Sequence, residues 1–356
     1  MSTDITTSQR PTPPSYEVPK VYRYGALIVG FFALVIFPLV FNNPTISTIG
    51  VFAMIFLMAV TGWNIFSGYT GYIALGHAVF FGIGQYATAM LSSYWHINPG
   101  MWTFVLIPVS MILAGIAAIP IGFMILRVRK HTFIVLTIAL MFIFQLFAYN
   151  LRSWTGGSQG LEVGQPGWDG SVFNLPYYYV GLFVAIIAII TSFMIRRSKF
   201  GLSLLAIRDD EDRARSLGIN TTRSKLIAFI ISAVFLGAAG CIYAMFVGSV
   251  YPQFSFDPAF DLELSIMAFA GGLGTILGPS LGALIISAAQ QYFLISFGGA
   301  NVFLIVYGAL FIVILRLLPG GVVPAISDKW RSQVVRKEQR KLDAEIQGPA
   351  EGGAKK

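Results

Sequence analysis

Acid–base, metal or nucleophilic chemistry needs particular side chains at particular spacings, and this 356-residue sequence supplies few. It has three histidines, His77, His96 and His131, and none has a paired acid and nucleophile at a spacing that would build a hydrolase. No H-E-x-x-H pattern puts metal ligands on one helix face, and no G-x-x-x-x-G-K-[ST] loop cradles phosphate. The single cysteine, Cys241, excludes an intrachain disulfide and a cysteine-based zinc cluster. Lying in an apolar run, it reads as a small buried side chain. The 16 Asp and Glu all fall in tails, loops or helix ends. Proton- or sodium-driven carriers usually keep a carboxylate near the bilayer midplane. Its absence counts against that class, although a site made of carbonyls leaves the class open. The chain is thus expected to be no enzyme, with no catalytic residue, cofactor or metal of its own.

Polar and small residues gather in one early stretch, from Ser67-Gly68-Tyr69-Thr70-Gly71-Tyr72 through Leu75-Gly76-His77 to Gly82-Ile83-Gly84-Gln85-Tyr86. Its recurrent glycines predict an interrupted helix. Irregular backbone is tolerated at membrane depth only where protein or a water-filled cavity satisfies its polar groups. Two readings follow. Either a broken helix lines a solute path, with His77 and Gln85 as donors, or the glycines permit close helix packing and His77 hydrogen-bonds within the bundle. A second glycine-rich piece, Thr155-Gly156-Gly157-Ser158-Gln159-Gly160-Leu161, reads as a flexible loop.

The elements that must position these pieces are long apolar runs. The chain is 56% hydrophobic and 11% charged, where a soluble domain is about 25% charged. About 20 apolar residues cross the ~30 Å of hydrocarbon in a bilayer. The runs predict an all-α, polytopic transmembrane helical bundle with spans near 24–41, 46–66, 72–93, 101–126, 131–150, 177–195, 225–247, 262–275, 276–297 and 301–317. The third is broken at its start. Gly271, Gly272, Gly274, Gly278 and Pro279 interrupt the eighth and ninth, which are two short helices or one span plus a re-entrant piece.

With the N-terminus inside, every Lys and Arg except Arg152 falls in an inner segment, the positive-inside pattern. Both ends then lie inside. The net charge of +8 is a topology signal and not a phosphate-binding face, so nucleic acid is not an expected partner. Residues 1–23, with Pro11, Pro13, Pro14 and Pro19, read as a disordered cytoplasmic tail and not a cleaved signal peptide. Residues 24–320 read as the transmembrane domain, and 321–356 as a charged cytoplasmic tail.

The inner connection at 196–224 is too long for a simple turn. Asp209, Asp210, Glu211 and Asp212 precede Arg213 and Arg215, an order that complements a helix dipole. An Asp can cap the first turn, and Gly218 suits the position after the last. The spacing predicts a short surface helix over 210–217. Ala214 and Leu217 would share its apolar face, and Phe200, Leu204 and Ile207 continue a similar stripe upstream. Such a knob fits the groove of a partner protein, and four consecutive acids suit an anionic lipid surface less well.

Four pieces, in order, carry a resemblance. They are Gly68-Tyr69-Thr70-Gly71 through Leu75-Gly76-His77-Ala78-Val79-Phe80-Phe81-Gly82-Ile83-Gly84, Thr155 to Leu161, Lys199-Phe200-Gly201-Leu202 through Arg208-Asp209-Asp210-Glu211-Asp212 to Leu217-Gly218-Ile219, and Gly271-Gly272-Leu273-Gly274-Thr275 to Gly278-Pro279. Together they bracket residues 24–320, and the chain resembles the permease subunits of branched-chain amino acid ABC importers, the M member of the Liv type more than the H member. The resemblance implies a second, LivH-type permease subunit, two separate ATPase subunits that hold ATP and magnesium, an extracytoplasmic substrate-binding protein, and residence in a bacterial or archaeal cytoplasmic membrane. It also implies that the segment 199–219 is the ATPase-coupling piece, carried by Arg208, Asp209, Asp210, Glu211, Ala214, Leu217 and Gly218. The translocation path would be lined by Gly68, Tyr69, Gly71, His77, Phe80, Gln85, Gly271, Gly272 and Gly274. Alternatives are a permease for urea or short amides in the same family, an ion-coupled secondary transporter, and a membrane protein without transport.

Overall fold

A computed structural model describes residues 20–41, 43–95, 100–170, 172–297 and the single positions 308, 309, 316 and 321. The predicted span 301–317 and the predicted tails fall almost wholly outside the described residues, as does His96. The chain divides into two units. Met1–Leu34 with Pro324–Lys356 is one, and its described part is the start of α1 (Lys20–Val40). Val35–Val323 is the other and carries all that follows.

In chain order come α2 (Pro44–Trp63), which runs on as a π-helical turn at Asn64–Gly68, then α3 (Ala78–Tyr94) and α4 (Leu106–Ile125), the last entered through a 3₁₀ turn at Met101–Val105. They are followed by α5 (Lys130–Asn150), α6 (Arg152–Thr155), a 3₁₀ turn at Gly157–Gln159, β1 (Leu161–Glu162) and α7 (Asn174–Arg197). The remainder is α8 (Lys199–Asp209), α9 (Glu211–Ser216), α10 (Thr221–Val247), β2 (Ser249–Val250), α11 (Pro252–Ser255), α12 (Pro258–Gly271) and α13 (Gly278–Phe297).

Among the described residues, the segments Pro44–Gly68, Met101–Ile125, Lys130–Asn150, Asn174–Arg197 and Thr221–Val247 are each long and apolar enough to cross a membrane. They differ in surroundings. The α2 segment is 89% buried, whereas α5 is only 22% buried. Ile112, Ile116 and Met124 of α4, Val135, Leu146 and Phe147 of α5, and Phe183 and Met194 of α7 are exposed. Water does not tolerate so much apolar surface on a monomer, so this belt faces lipid or another membrane subunit. The architecture is an all-α multi-pass membrane bundle in which α10 packs on α2, α3 and α4, and α2 also packs on α7 and α13.

Small residues set the central distances. A Cβ at Gly84 of α3 would lie 2.1 Å from the Gly237 carbonyl oxygen of α10, and one at Gly240 would lie 2.0 Å from that of Phe81. Backbone meets backbone there, the arrangement that small residues permit between membrane helices.

The structure changes one expectation here and sets the bounds of two breaks that the sequence already implied. The stretch opening at Thr155 is not simply a flexible loop, because β1 pairs antiparallel with β2 in the register Leu161↔Val250 and Glu162↔Ser249. The third span begins at Ala78 rather than residue 72, since 71–77 is extended or turning backbone. The eighth is α12, of 14 residues. At 1.5 Å per residue it is roughly 21 Å long, a half-helix that turns back at 272–277 into α13.

Protein groups satisfy several backbone positions of the non-helical stretch before α3. Trp63 Nε1 donates to the Ala74 carbonyl at 2.9 Å, the Ala74 N–H donates to Ser67 Oγ at 3.3 Å, and the Leu75 N–H donates to Thr137 Oγ1 at 3.3 Å. The amides of His77 and Ala78, at the start of α3, donate to the Asp261 carboxylate at 3.0–3.2 Å. Asp261 lies in the first turn of α12 and is fully buried, so the expectation of a bundle without a buried carboxylate is overturned. Being near a helix end in sequence did not keep it near the surface. Asp261→Ala leaves two buried N–H groups unpaired, at about 1–3 kcal/mol each, and Asp261→Asn keeps one acceptor oxygen. Melting in detergent should therefore rank wild type above Asn above Ala; three equal transitions would show that Asp261 caps nothing.

Candidate functional site

Two chain breaks come together on one side chain. The π-helical turn ends at Gly68, and the α12–α13 turn passes Gly274. Arg208, at the end of α8, donates from Nη1 to the Gly68 carbonyl oxygen at 2.9 Å. A Cβ at Gly274 (φ +77°) would sit 2.0 Å from that same Nη1, and one at Gly71 (φ +71°) would sit 2.9 Å from Arg208 Cγ. Both glycines adopt the left-handed backbone that only Gly takes at little cost, and both clear space for the arginine.

Asn64 ties the same two breaks. Its Oδ1 accepts from the Gly274 N–H at 2.9 Å, and its Nδ2 donates to the Thr275 carbonyl at 2.9 Å. Lys130 Nζ donates to the Arg208 carbonyl at 3.1 Å, which adds α5. A displacement of α8 is therefore felt directly by the turn after α2 and by the turn between α12 and α13.

The helix after Arg208 is built as its residues dictate. Asp210 is the N-cap of α9, its Oδ1 accepting from the Asp212 and Arg213 N–H groups at 3.0 and 3.1 Å. At the other end Gly218 has φ +84°, its N–H donates to Arg215, and the Ile219 N–H donates to Ala214. That pair of bonds is a Schellman ending. Asp209 and Leu217 are exposed. Ala214 and Leu217 do not share a face as expected, because Ala214 is 1% exposed against the protein while Leu217 is 81% exposed. With Leu204 and Ile207 also fully buried, the upstream stripe turns inward, and α9 offers Leu217 and its charged residues outward.

Behind α9 lies an ion pair that sequence reasoning missed. Lys225 Nζ is 2.8 Å from Glu211 Oε1, and the lysine side chain is 3% exposed. The ammonium also reaches Tyr72 Oη and the Leu126 carbonyl, each at 3.3 Å. Tyr72 donates its hydroxyl to Glu211 Oε2. Burial pushes the Glu211 carboxyl up, but hydrogen bonds from Lys225 and Tyr72, with the lysine charge, outweigh it and hold the carboxyl below its ordinary value. Arg127, Arg129, Lys130 and His131 face this pair across a cleft of about 370 Å3.

Residues 45–315, containing both breaks and this segment, match the family model described as "Branched-chain amino acid transport system / permease component". The chain belongs to that permease family. The LivM permease protein of the high-affinity branched-chain amino acid transport system of Escherichia coli K12 is 28% identical, over 81% of this chain and 73% of its own length. The corresponding LivH protein of Salmonella typhimurium is 25% identical over 80% and 94%. A xylose transport permease, XylH of Haemophilus influenzae, is 32% identical over 31% of this chain and 30% of its own. No solved structure matches.

Of the remaining predicted residues, Tyr69, Gly271 and Gly272 adjoin the two breaks, whereas His77, Phe80 and Gln85 lie in or beside α3. Tyr69 is buried, its hydroxyl 2.7 Å from Ser192 Oγ. His77 is fully buried among Phe66, Phe80 and Phe229, with ring centroids 5.4–5.9 Å away, and neither ring nitrogen has a hydrogen-bond partner. That differs from the expected hydrogen-bonded or donor histidine. Gln85 accepts from Ser255 Oγ at 2.8 Å. Gly271 packs on Gly278, whose carbonyl oxygen would lie 1.8 Å from an added Cβ, and Gly272 (φ +120°) opens the turn. Asn64 and Lys225 carried a signal that went unused: each is a strongly polar residue at the edge of a long apolar run.

Proposed function

We propose that this permease is the membrane-spanning subunit of an ABC importer for branched-chain or other hydrophobic amino acids, driven by ATP hydrolysis on separate ATPase subunits. In this reading α9 is the coupling helix. It enters a cleft of the ATPase with its outward residues, Leu217 among them. Asp210 and Gly218 fix its ends, and Arg208 passes its displacement to the breaks at Gly68 and Gly274. The observation that carries the reading is that one arginine, two residues before the α9 cap, hydrogen-bonds the first break at Gly68 and lies against Gly274 of the second, which Asn64 ties to the first. Alternating access follows if ATP-driven movement of α9 shifts the two breaks together, changing which side of the membrane the path faces.

The reading includes ten spans with both ends inside, a cytoplasmic membrane location, a second permease subunit and an extracytoplasmic binding protein. The broken segments, with Gly68, Tyr69, Gly71, His77, Phe80, Gln85, Gly271, Gly272 and Gly274, form or support the path. Urea or a short amide as substrate lacks a supporting contact. An ion-coupled carrier, which carboxylates within the bundle such as Asp261 and Glu263 would also suit, is separated from the importer by the ATP requirement tested below.

In the reconstituted transporter, Arg208→Ala should lower amino-acid uptake roughly tenfold or more while ATP hydrolysis continues. Uptake and hydrolysis falling together would mean that Arg208 serves assembly and not coupling. Uptake in vesicles containing this chain alone, driven by an ion gradient without ATP, would replace the importer reading with the carrier.

A further inference from the structure

A second cavity, of about 170 Å3, opens within the bundle between α2, α3, α10 and the α12–α13 pair. One wall is aromatic. Phe81 stacks on Phe260 with ring centroids 4.1 Å apart, Tyr243 stands 5.3 Å from Phe81, and Phe52 lies 6.0 Å from Tyr243. The polar end is formed by Asp257, Glu263, Gln290 and Gln291. Gln290 Nε2 donates to Glu263 Oε1 at 2.7 Å, and its own Oε1 is buried without a hydrogen-bond partner. Asp257 uses one oxygen to cap α12 through the Ala259 N–H at 2.9 Å. Among the described residues lining the cavity there is no lysine or arginine.

The chemistry of this end selects a class of ligand. It offers two carboxylates and a vacant amide carbonyl, which accept hydrogen bonds and attract positive charge. An ammonium group has three donors and no acceptor. Aromatic faces favour a cation beside them and bury an apolar side chain equally well. A sugar or a urea, being neutral, would leave the two carboxylates without a counter-charge. The volume is below the roughly 300–1,000 Å3 of drug-sized sites and suits a solute of amino-acid size. Carboxylates kept within a membrane bundle are costly and mark ligand or ion paths. We propose that this cavity holds the ammonium group and the apolar side chain of the amino acid being carried, with Glu263 and Asp257 on the ammonium and Phe52, Phe81, Tyr243 and Phe260 around the side chain. The assignment rests on the importer reading above and names its substrate contacts. It concerns the amine and side-chain ends of the solute, for the cavity presents no basic group to the carboxylate.

The test uses the complete transporter in proteoliposomes, with L-leucine as probe. Phe254 lines the cavity and is 57% exposed, and the native Cys241 is buried, so Phe254→Cys gives this chain a single accessible thiol, and alkylation is read on this subunit alone. During turnover L-leucine should slow its alkylation by a small maleimide several-fold. 4-Methylpentanoate, the same skeleton without the amine, and xylose should not. Glu263→Gln, which keeps shape, should raise the KM for leucine by about tenfold or more and abolish the protection, with the melting temperature unchanged. If wild type carries leucine but the thiol is unprotected and the Glu263→Gln KM is unaltered, the cavity assignment fails alone. Equal protection by 4-methylpentanoate or xylose overturns the ammonium assignment. If wild type carries no amino acid, the importer reading and this assignment fall together.

Discussion

Gly240→Leu should abolish the folded permease. The α3–α10 contact is backbone on backbone: one methyl carbon at Gly240 would stand 2.0 Å from the Phe81 carbonyl oxygen, 2.9 Å from its carbon and 3.2 Å from the Gln85 nitrogen. No rotamer relieves a clash made by Cβ itself, so α3 must move away from α10. The neighbouring face of α10 is tight as well, since a Cβ at Gly237 would lie 2.5 Å from that of Ala114 on α4. A shift of α10 towards α4 therefore meets a second close contact. Overpacking by a methylene or two already costs about 1–3 kcal/mol, and leucine adds four carbons against main chain. Gly240→Ala should lower the detergent melting temperature by several degrees, and Gly240→Leu should give no monodisperse peak in size-exclusion chromatography of a fluorescent fusion. Gly167→Ala, with nothing within 4 Å of the added carbon, should match wild type. A monodisperse Gly240→Leu protein would mean that α3 and α10 do not touch as described.

What the sequence revealed follows from the range of the forces involved. The ends of α9 were legible because capping is local: Asp210 and Gly218 act on groups within four residues of themselves. The breaks near Gly68 and Gly272 were legible because glycines clustered inside an apolar run weaken the helix at that point, whatever packs around it. The partner of each break was not legible. Arg208 reaches Gly68 across 140 positions and Asn64 reaches Gly274 across 210, and no single-chain periodicity encodes such pairings. The depth of Asp261 was hidden for a related reason. Position near a helix start implies solvent only if the helix starts at a surface, and α12 starts against the N-terminus of α3. The helical stripe of Phe200, Leu204 and Ile207 is apolar as its spacing implies, but periodicity gives a face and not its direction, so the pattern alone points Ala214 outward when it packs inward.

Lys225→Met should release α9 from the bundle while leaving the bundle folded. Methionine keeps the length and the apolar stem of lysine, so packing at the start of α10 survives, and only the ammonium is lost. That ammonium serves three acceptors, Glu211 Oε1, Tyr72 Oη and the Leu126 carbonyl. Breaking a buried pair by removing one partner costs about 3–5 kcal/mol, and the cost is smaller here because the Glu211 side chain is 16% exposed. The sign of the pH dependence follows from the carboxyl. In wild type it is held below its ordinary value of about 4.3, so the stabilisation is full above that value and declines only as acid reaches the folded-state titration. Without Lys225 the carboxyl keeps Tyr72, Thr221 and Arg215 as partners but loses its buried cation, so it should titrate higher than in wild type and protonation should favour the docked state. Trypsin cleavage at the exposed Arg213 and Arg215 reads the release directly. Cleavage of Lys225→Met at pH 7.5 should be at least tenfold faster than wild type, in line with a free-energy loss of about 1.4 kcal/mol or more, and this ratio of variant to wild type at the same pH should shrink as the pH falls towards 5.5. Glu211→Gln added to Lys225→Met removes the charge left with the exposed Arg215 as its ion-pair partner and should recover part of the protection, the coupling that a double-mutant cycle measures. Uptake should fall with the single change and recover in part with the double. Identical cleavage in wild type, single and double variants would show that the Lys225–Glu211 pair does not hold α9, and would leave Arg208 as the link between that helix and the breaks.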